Sequence, residues 1–144
     1  MPAVVSLAMI AYAFKNKELQ YKQNAYQTPF SIGIGLGLSE IIKLIVNRER
    51  PGDQYPDIIH PYNIVHGHSF PSGHTTSAFL LAMALSLEFR GKWYAVAPAY
   101  LWAATVAYSR MKLGEHFPTD VLGGMIVGTS GTFIANWLIP KVVK

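Results

Sequence analysis

The sequence alternates long apolar stretches with short polar segments, and this alternation limits the possible folds more than any other feature. Only 14% of the residues are charged, against about 25% in a soluble domain. A helix that crosses a bilayer needs about 20 apolar residues, although buried helices of a soluble bundle can also be this apolar. The pattern favours an all-α integral membrane bundle of about five helices. The apolar stretches are residues 2–14, 29–46, 75–89, 94–108 and 121–139.

Three polar clusters lie between these stretches and together supply cations, a hydroxyl, a glycine, two histidines and a carboxylate. Cations and the first N–H groups of a helix both bind phosphate well. The inventory is therefore suited to holding and transferring a phosphoryl group without a metal. The clusters are Lys43 with Arg50-Pro51, Pro71-Ser72-Gly73-His74, and Ser109-Arg110 with His116 and Asp120.

The first two clusters contain residues whose local context suggests anion binding. Ser72 can cap a helix that begins at Gly73, and glycine lets the backbone approach an anion closely. Lys43 lies in an apolar stretch, where an ionisable residue is by default a functional candidate. A salt bridge to Glu40 would explain the same lysine structurally. Arg50 carries a planar guanidinium suited to two phosphate oxygens.

The third cluster places a histidine and a carboxylate one helical turn apart. His116 and Asp120 are four positions apart, so their side chains can meet on one face of a helix. A carboxylate that accepts one ring N–H leaves the other ring nitrogen as a nucleophile. The alternative is a buried histidine with satisfied hydrogen bonds. Arg48 and Glu49, which directly precede Arg50 of the first cluster, are interpreted as solvated neighbours.

Residues 47–70 form a long segment rich in proline and glycine that joins two of the clusters. Segments of this length without regular structure are often functional, so it is a candidate lid over the site, or else a plain connection. Its histidines, His60, His66 and His68, lack the spacing of a helical metal-binding pair. No metal and no cofactor is expected.

Pairs of glycines in two apolar stretches predict close helix packing. Gly33 and Gly37 form one small-xxx-small pair, and Gly124 and Gly128 form another. Gly35 completes an alternation that superficially suggests a dinucleotide loop. No strand precedes it and the third glycine of that fingerprint is missing, so helix packing is the favoured interpretation.

Taken together, the three clusters resemble the signature of the type-2 phosphatidic acid phosphatase family, which is shared with bacterial class A acid phosphatases and vanadium haloperoxidases. The specified residues occur in order and at family spacing between Lys43 and Asp120. The resemblance implies a single phosphatase domain over residues 1–144, with the motifs in 43–120. Membrane members of the family usually have six helices, so an N-terminal helix is expected to be partial or missing, and stretch 2–14 is short for a span.

The resemblance also implies a role for each motif residue. His116 would attack phosphorus and form a phosphohistidine, supported by Asp120. His74 would protonate the leaving oxygen and then activate water. The phosphoryl oxygens would be held by Lys43, Arg50, Ser72, Gly73 and Arg110.

The expected function is a metal-independent phosphatase acting on a lipid phosphate or diphosphate, such as phosphatidate, phosphatidylglycerophosphate or a polyprenyl diphosphate. The expected partners are this substrate and membrane lipid, with no nucleic acid, because no basic recognition module is present. Three alternatives are a soluble exported acid phosphatase of broad specificity, a vanadium haloperoxidase, and a non-catalytic protein that binds lipid phosphates.

The basic residues outside the clusters predict the orientation of the helices. Threading the helices through a bilayer places the clusters on one side and most other cations on the opposite side, together with Trp93, Tyr94 and Trp137. Because cytoplasmic loops carry excess Lys and Arg, we expect a multi-pass protein of the cytoplasmic membrane whose active site faces outside. The cations on the cytoplasmic side would be Lys15, Lys17, Lys22, Arg90, Lys92, Lys141 and Lys144.

Overall fold

The computed structural model describes residues 19–62, 65–90 and 92–142, with side chains between residues 29 and 138 of these ranges. The predicted first apolar stretch, with Lys15 and Lys17, lies outside the described residues. The described part is all-helical and contains no strand, which confirms the predicted fold class. Its helices are α1 (Leu19–Val46), α2 (Pro51–Gln54), α3 (Gly73–Glu88), α4 (Trp93–Lys112) and α5 (Pro118–Val142).

The helix ends that carry the motifs have clear local causes. Helix α1 stops where Asn47 adopts a positive φ of 47°, a conformation that asparagine tolerates at a helix C-terminus. The Asn47 N–H donates to the Lys43 carbonyl at 2.9 Å. Helix α5 starts at Pro118, whose fixed φ suits a first helical position. Helix α3 starts immediately after Ser72, as predicted.

Small side chains line the interfaces between the long helices. Helix α5 packs extensively on α1 and α3, and α4 packs mainly on α3. The buried cluster between α3 and α4 consists of Ala78, Ala82 and Ala103. Between α3 and α5, the buried Thr132 hydroxyl donates to the Leu80 carbonyl at 3.1 Å. Close backbone approach through small residues is how helices associate in membranes.

The glycine predictions are half correct. Gly124 and Gly128 do lie against α3, since a Cβ at Gly124 would be 2.7 Å from the Ser72 carbonyl oxygen. Gly33 and Gly37 have no described atom within 4 Å of an added Cβ, so their predicted packing has no partner among the described residues. The packing glycine of that stretch is Gly35, because the face of α1 that meets α3 and α5 is the opposite one. A Cβ at Gly35 would be 2.6 Å from Cδ1 of Leu80.

The outer surface of the bundle is strongly apolar. Two helical regions, Pro29–Gln54 and Pro118–Leu138, are long and apolar enough to cross a membrane. In the first region, only 17% of the most apolar 18-residue stretch is buried inside the bundle. Leu44 and Ile45 on α1 are 72% and 76% exposed, and Phe133 on α5 is 62% exposed. An apolar patch of this kind suits contact with lipid rather than water.

The motif clusters all lie at one end of the bundle. They occupy the C-terminal ends of α1 and α4 and the N-terminal ends of α3 and α5. Trp93 and Trp137 lie about 25 Å away at the other end, from the helical rise per residue, and both are largely exposed. The two-sided arrangement that the threading assumed is therefore present in the fold.

The contrast between Gly128 and Gly37 gives a stability prediction. A Cβ at Gly128 would lie 2.9 Å from the Leu80 backbone nitrogen, so we expect Gly128→Ala to lower the free energy of unfolding by about 1–3 kcal/mol through overpacking. Gly37→Ala is the matched control and should be neutral or stabilising by up to about 1 kcal/mol, because alanine is the better helix former. Thermal melting of both variants in one detergent measures the difference. Equal melting temperatures would contradict the assigned interface.

Candidate active site

The three sequence clusters converge on one cavity of about 480 Å³. It opens at the motif end of the bundle, between the ends of α1, α3 and α4 and the turn before α5. The remaining wall is made by Leu36, Val65, Ser77 and Glu115. The predicted site residues that line it are Lys43, Arg50, Gly73, His74, Arg110 and His116.

Two predicted residues, Ser72 and Asp120, lie behind the cavity wall and are fully buried. Ser72 occupies the N-cap position of α3, but its hydroxyl makes no capping bond and accepts a hydrogen bond from the Thr75 hydroxyl at 3.0 Å. The Ser72 N–H donates to the Asp120 carbonyl oxygen at 3.0 Å, which ties the start of α3 to the start of α5. Gly73 lies beside the Lys43 ammonium, since a Cβ at this position would be 3.5 Å from Nζ, an ordinary contact distance.

The His116 ring is held between a carboxylate and a guanidinium. Its Nδ1 lies 3.6 Å from Oδ2 of Asp120, a separation too long for a hydrogen bond but close enough for a strong electrostatic contact. Its Nε2 lies 3.4 Å from Nη1 of Arg50. A proton on Nδ1, facing the carboxylate, leaves the Nε2 lone pair beside a cation that lines the cavity. The predicted meeting of His116 and Asp120 is therefore present in the structure.

Asp120 itself is fixed from three directions. Arg48 donates to Oδ1 at 2.9 Å, and the Ser69 hydroxyl and the Phe117 N–H donate to Oδ2, the latter at 2.8 Å. Two of these donors lie near the two ends of the 47–70 segment, and the third lies in the turn before α5. A buried carboxylate with this set of partners stays ionised and keeps one orientation toward His116.

Arg48 was interpreted from sequence as a solvated neighbour, and this is wrong. Its side chain is about one-third exposed, pairs with Asp120 and also donates to the Thr119 hydroxyl at 2.6 Å. The guanidinium carbon lies 4.1 Å from the centre of the Phe117 ring, a cation–π contact. Arg48 and Asp120 are 72 positions apart, so no local spacing could have revealed the pair.

The phosphate-binding candidates differ in how firmly the protein holds them. Arg50 is clamped, with Nε donating to the Gly67 carbonyl and Nη1 to the Glu115 carbonyl, both at 3.1 Å. Lys43 pairs with Glu40 at 2.9 Å, yet Glu40 is mostly exposed and the lysine still lines the cavity. An exposed ion pair contributes little stability, so Lys43 is available to an anion.

Glu115 is a carboxylate in the cavity wall that the sequence did not single out. Its side chain is 5% exposed and pairs with Arg110 at 3.1 Å between Oε2 and Nη1. It immediately precedes His116 in the chain, so its position one residue before a candidate nucleophile was the available signal. Arg110 is thus held by a neighbouring anion.

His74 lies in the first turn of α3, before the apolar part of that helix, with its side chain in the cavity. Burial lowers the pKa of His74 from its ordinary value of 6.5, the Arg110 charge lowers it further, and the Glu115 charge partly offsets both. The neutral imidazole is therefore favoured in the empty site. A bound phosphate, as an anion, would draw a proton to this ring.

The 47–70 segment forms one wall of the site and contains the short helix α2. Val65 reaches the main cavity, and Pro61 packs on Gly114, which adopts a positive φ of 70° in the turn after α4. Beneath the segment lies a second cavity of about 260 Å³, lined in part by His60. His66 and His68 line neither cavity. Movement of the segment as a lid stays a prediction.

Two relatives and one solved structure show what the chain is similar to. It is 32% identical over 109 residues to a lipid A 4′-phosphatase of Bacteroides thetaiotaomicron, covering 72% of this chain and 48% of the relative. It is 33% identical over 141 residues to a lipid A 4′-phosphatase of Porphyromonas gingivalis, covering 87% of this chain and 55% of the relative. The chain thus spans about half the length of these relatives.

The structural comparison concerns a transmembrane PAP2 type phosphatidylglycerolphosphate phosphatase from Bacillus subtilis. The two folds superpose with a TM-score of 0.71 at 26% sequence identity, over 98% of this chain and 68% of the other. This likeness and the two candidate spans indicate a membrane protein. The model of the PAP2 superfamily matches residues 25–144, and the chain therefore belongs to the PAP2 superfamily.

Proposed function

We propose that residues 1–144 act as one phosphatase unit that hydrolyses a lipid phosphate or diphosphate through a phosphohistidine intermediate, without a metal. The observation that carries the proposal is one cavity lined by three cations and two histidines, with a buried carboxylate behind one of the histidines. The names of the relatives, lipid A 4′-phosphatases among them, support a lipid phosphate as substrate.

In the first step, Nε2 of His116 attacks phosphorus as the bond to the leaving oxygen breaks. Asp120 stabilises the positive charge that grows on the His116 ring, which the 3.6 Å separation from Nδ1 allows. His74, in its protonated form, gives its proton to the departing lipid alcohol. The negative charge on the phosphoryl oxygens is stabilised by Lys43 and by the two arginine side chains of the cavity wall, Arg50 and Arg110.

In the second step, water replaces the leaving alcohol. His74, now neutral, removes a proton from that water as its oxygen attacks phosphorus. The bond from phosphorus to Nε2 of His116 breaks, and inorganic phosphate is released. The free N–H groups at the start of α3, from Gly73 onward, bind phosphoryl oxygens in both steps of the proposed mechanism. Ser72 supports this turn instead, because its hydroxyl is buried against Thr75 and its N–H donates to the Asp120 carbonyl.

The location that we propose is a multi-pass position in the cytoplasmic membrane with the cavity on the outer side. The apolar outer faces of α1 and α5 support contact with lipid. The described cations at the opposite end, Arg90 and Lys92, support a cytoplasmic placement of that end. A cavity at one edge of the bundle can receive a lipid head group while the acyl chains stay in the bilayer.

Substitution of the nucleophile tests the chemistry. We expect His116→Ala to lower phosphate release from phosphatidate in detergent micelles by about 1,000-fold or more, because the covalent step is lost. A chelator should leave the wild-type rate unchanged, since the stabilising charge comes from side chains. A fully active variant would contradict the assigned nucleophile. Wild-type activity lost on chelation and restored by a divalent cation would contradict metal independence.

The lowered pKa of His74 predicts the pH dependence of the free enzyme. The proton donor must be charged in the first step, so kcat/KM should fall as the pH rises through the His74 pKa, with a midpoint below 6.5. A His74→Asn variant assayed with phosphatidate should be slower and should lose this decline, because it has no proton donor at that position to titrate. With p-nitrophenyl phosphate, whose leaving group needs no proton, the wild type and the variant should show the same pH profile. The ionisation of the substrate is the same for both enzymes and cancels in each comparison. An identical decline in both enzymes with phosphatidate would refute the role of His74.

Substitution of Arg48 tests whether this residue positions the His116–Asp120 pair or binds the substrate. Arg48 contacts Asp120 but not the cavity, so Arg48→Met should lower kcat by about 10–100-fold through misplacement of the His116 pair, with little change in KM. Arg48→Lys should recover part of the loss. Lys112→Met, which removes an exposed cation from the same end of the bundle, is the matched control and should be neutral. A change confined to KM would show that Arg48 binds substrate instead.

A further inference from the structure

We propose that Glu115 makes this site selective for phosphate monoesters over diphosphates. The inference rests on the proposed phosphatase function and specifies the substrate class that the site prefers. Glu115 is a buried carboxylate in the wall of a cavity otherwise built to hold an anion. Neither the family signature nor the proposed chemistry gives this side chain a task.

The charges that face the cavity match a monoester. Among its lining residues, Lys43, Arg50 and Arg110 are cationic and Glu115 is anionic, which leaves a net charge of +2 when both histidines are neutral. A phosphate monoester carries about −1.5 to −2 near neutral pH. The Arg48–Asp120 pair lies behind the wall and cancels itself. A monoester therefore neutralises the four charged side chains, whereas a second phosphoryl group exceeds their positive charge. The proton that His74 takes up on binding adds one positive charge with either substrate, so Glu115 still lowers the positive charge left for a second phosphoryl group.

The residues that line the space next to the three cations supply no further Lys or Arg for a second phosphoryl group. The neighbouring 260 Å³ cavity shares Arg50 and Glu115 with the main one, and its lining adds the carboxylate of Asp53 and the titratable His60, but no further Lys or Arg. Within the main cavity itself, the lining residues Leu36 and Ser77 are uncharged. A second phosphoryl group on either side would meet carboxylates or uncharged atoms among the described residues.

Glu115 acts on the substrate through charge and through Arg110. In the empty site it pairs with Arg110 at 3.1 Å. A bound phosphate competes for that guanidinium and leaves the carboxylate close to the added negative charge. The cost rises with each further charge on the ligand, and it is large because both side chains are mostly buried. The site can offset this cost for a dianion better than for a diphosphate.

The test compares two substrates that share one lipid tail. Phosphatidate and diacylglycerol diphosphate are assayed with the whole chain in mixed micelles at one fixed pH, the same for every variant. Wild-type kcat/KM should favour phosphatidate. In Glu115→Gln, which keeps the size of the side chain and an oxygen for Arg110, the ratio should shift toward the diphosphate by about tenfold. Glu49→Gln, which removes an exposed carboxylate from the same end of the bundle, should leave the ratio unchanged.

A wild-type preference for the diphosphate would overturn the proposal, and so would an unchanged ratio in Glu115→Gln. If kcat/KM falls equally for both lipids, Glu115 only positions Arg110 and the proposal fails. Calorimetric binding of inorganic phosphate and pyrophosphate to the same proteins gives a readout without turnover. Suppose that Glu115→Gln selectively gains affinity for pyrophosphate but the wild type hydrolyses neither lipid. This result would support the charge effect while refuting the phosphatase function. No selective gain would refute the charge effect itself.

Discussion

The geometry of the site depends on the hydrogen bonds that the buried carboxylate of Asp120 accepts. The carboxylate accepts hydrogen bonds from Arg48 and Ser69, near the two ends of the 47–70 segment, and from the Phe117 N–H before α5. A buried charge is tolerated only when its partners are complete. Both ends of that segment must therefore meet the start of α5, and this meeting sets the position of His116.

The packing of the long helices also fixes the geometry of the site. Because α3 meets α5 through Gly124 and Gly128, the backbones approach closely, and the start of α3 lies directly against the start of α5. The hydrogen bond from the Ser72 N–H to the Asp120 carbonyl is a consequence. The turn at Gly73 is thus held at a helix end, and His116 lies only two residues before the start of α5. The long helices therefore associate mainly through contacts between small residues, as expected for helices surrounded by lipid.

The sequence predicted those features that depend on local chemistry. The start of α3 after Ser72 and the proximity of His116 to Asp120 were both predicted from local preferences. The reasons differ in part, because the Ser72 hydroxyl makes no capping bond and His116 lies two residues before α5 begins. Arg48 was misjudged because its partner is remote in the chain. Gly35 was passed over for its neighbours because spacing alone cannot show which face of a helix meets another helix.

The net charge of the cavity could not be predicted either, because sequence spacing does not show which side chains face it. Composition showed that the clusters are cationic, but not that Glu115 is turned into the cavity or that Arg110 already has a partner. Such facts depend on where the turn between α4 and α5 places successive side chains. They matter for function because the net charge of the cavity, rather than the number of its cations, decides which anion it holds best.

The covalent intermediate is the central claim, and trapping it is the most direct measurement. Phosphatidate labelled with ³²P in its phosphate is mixed with the enzyme, the reaction is quenched within milliseconds, and the labelled peptide is identified by mass spectrometry. The mechanism predicts a phosphoryl group on His116 that is stable to alkali and labile to acid, and no labelled enzyme in His116→Ala. Label on another residue, or rapid turnover with no labelled enzyme at any quench time, would contradict it.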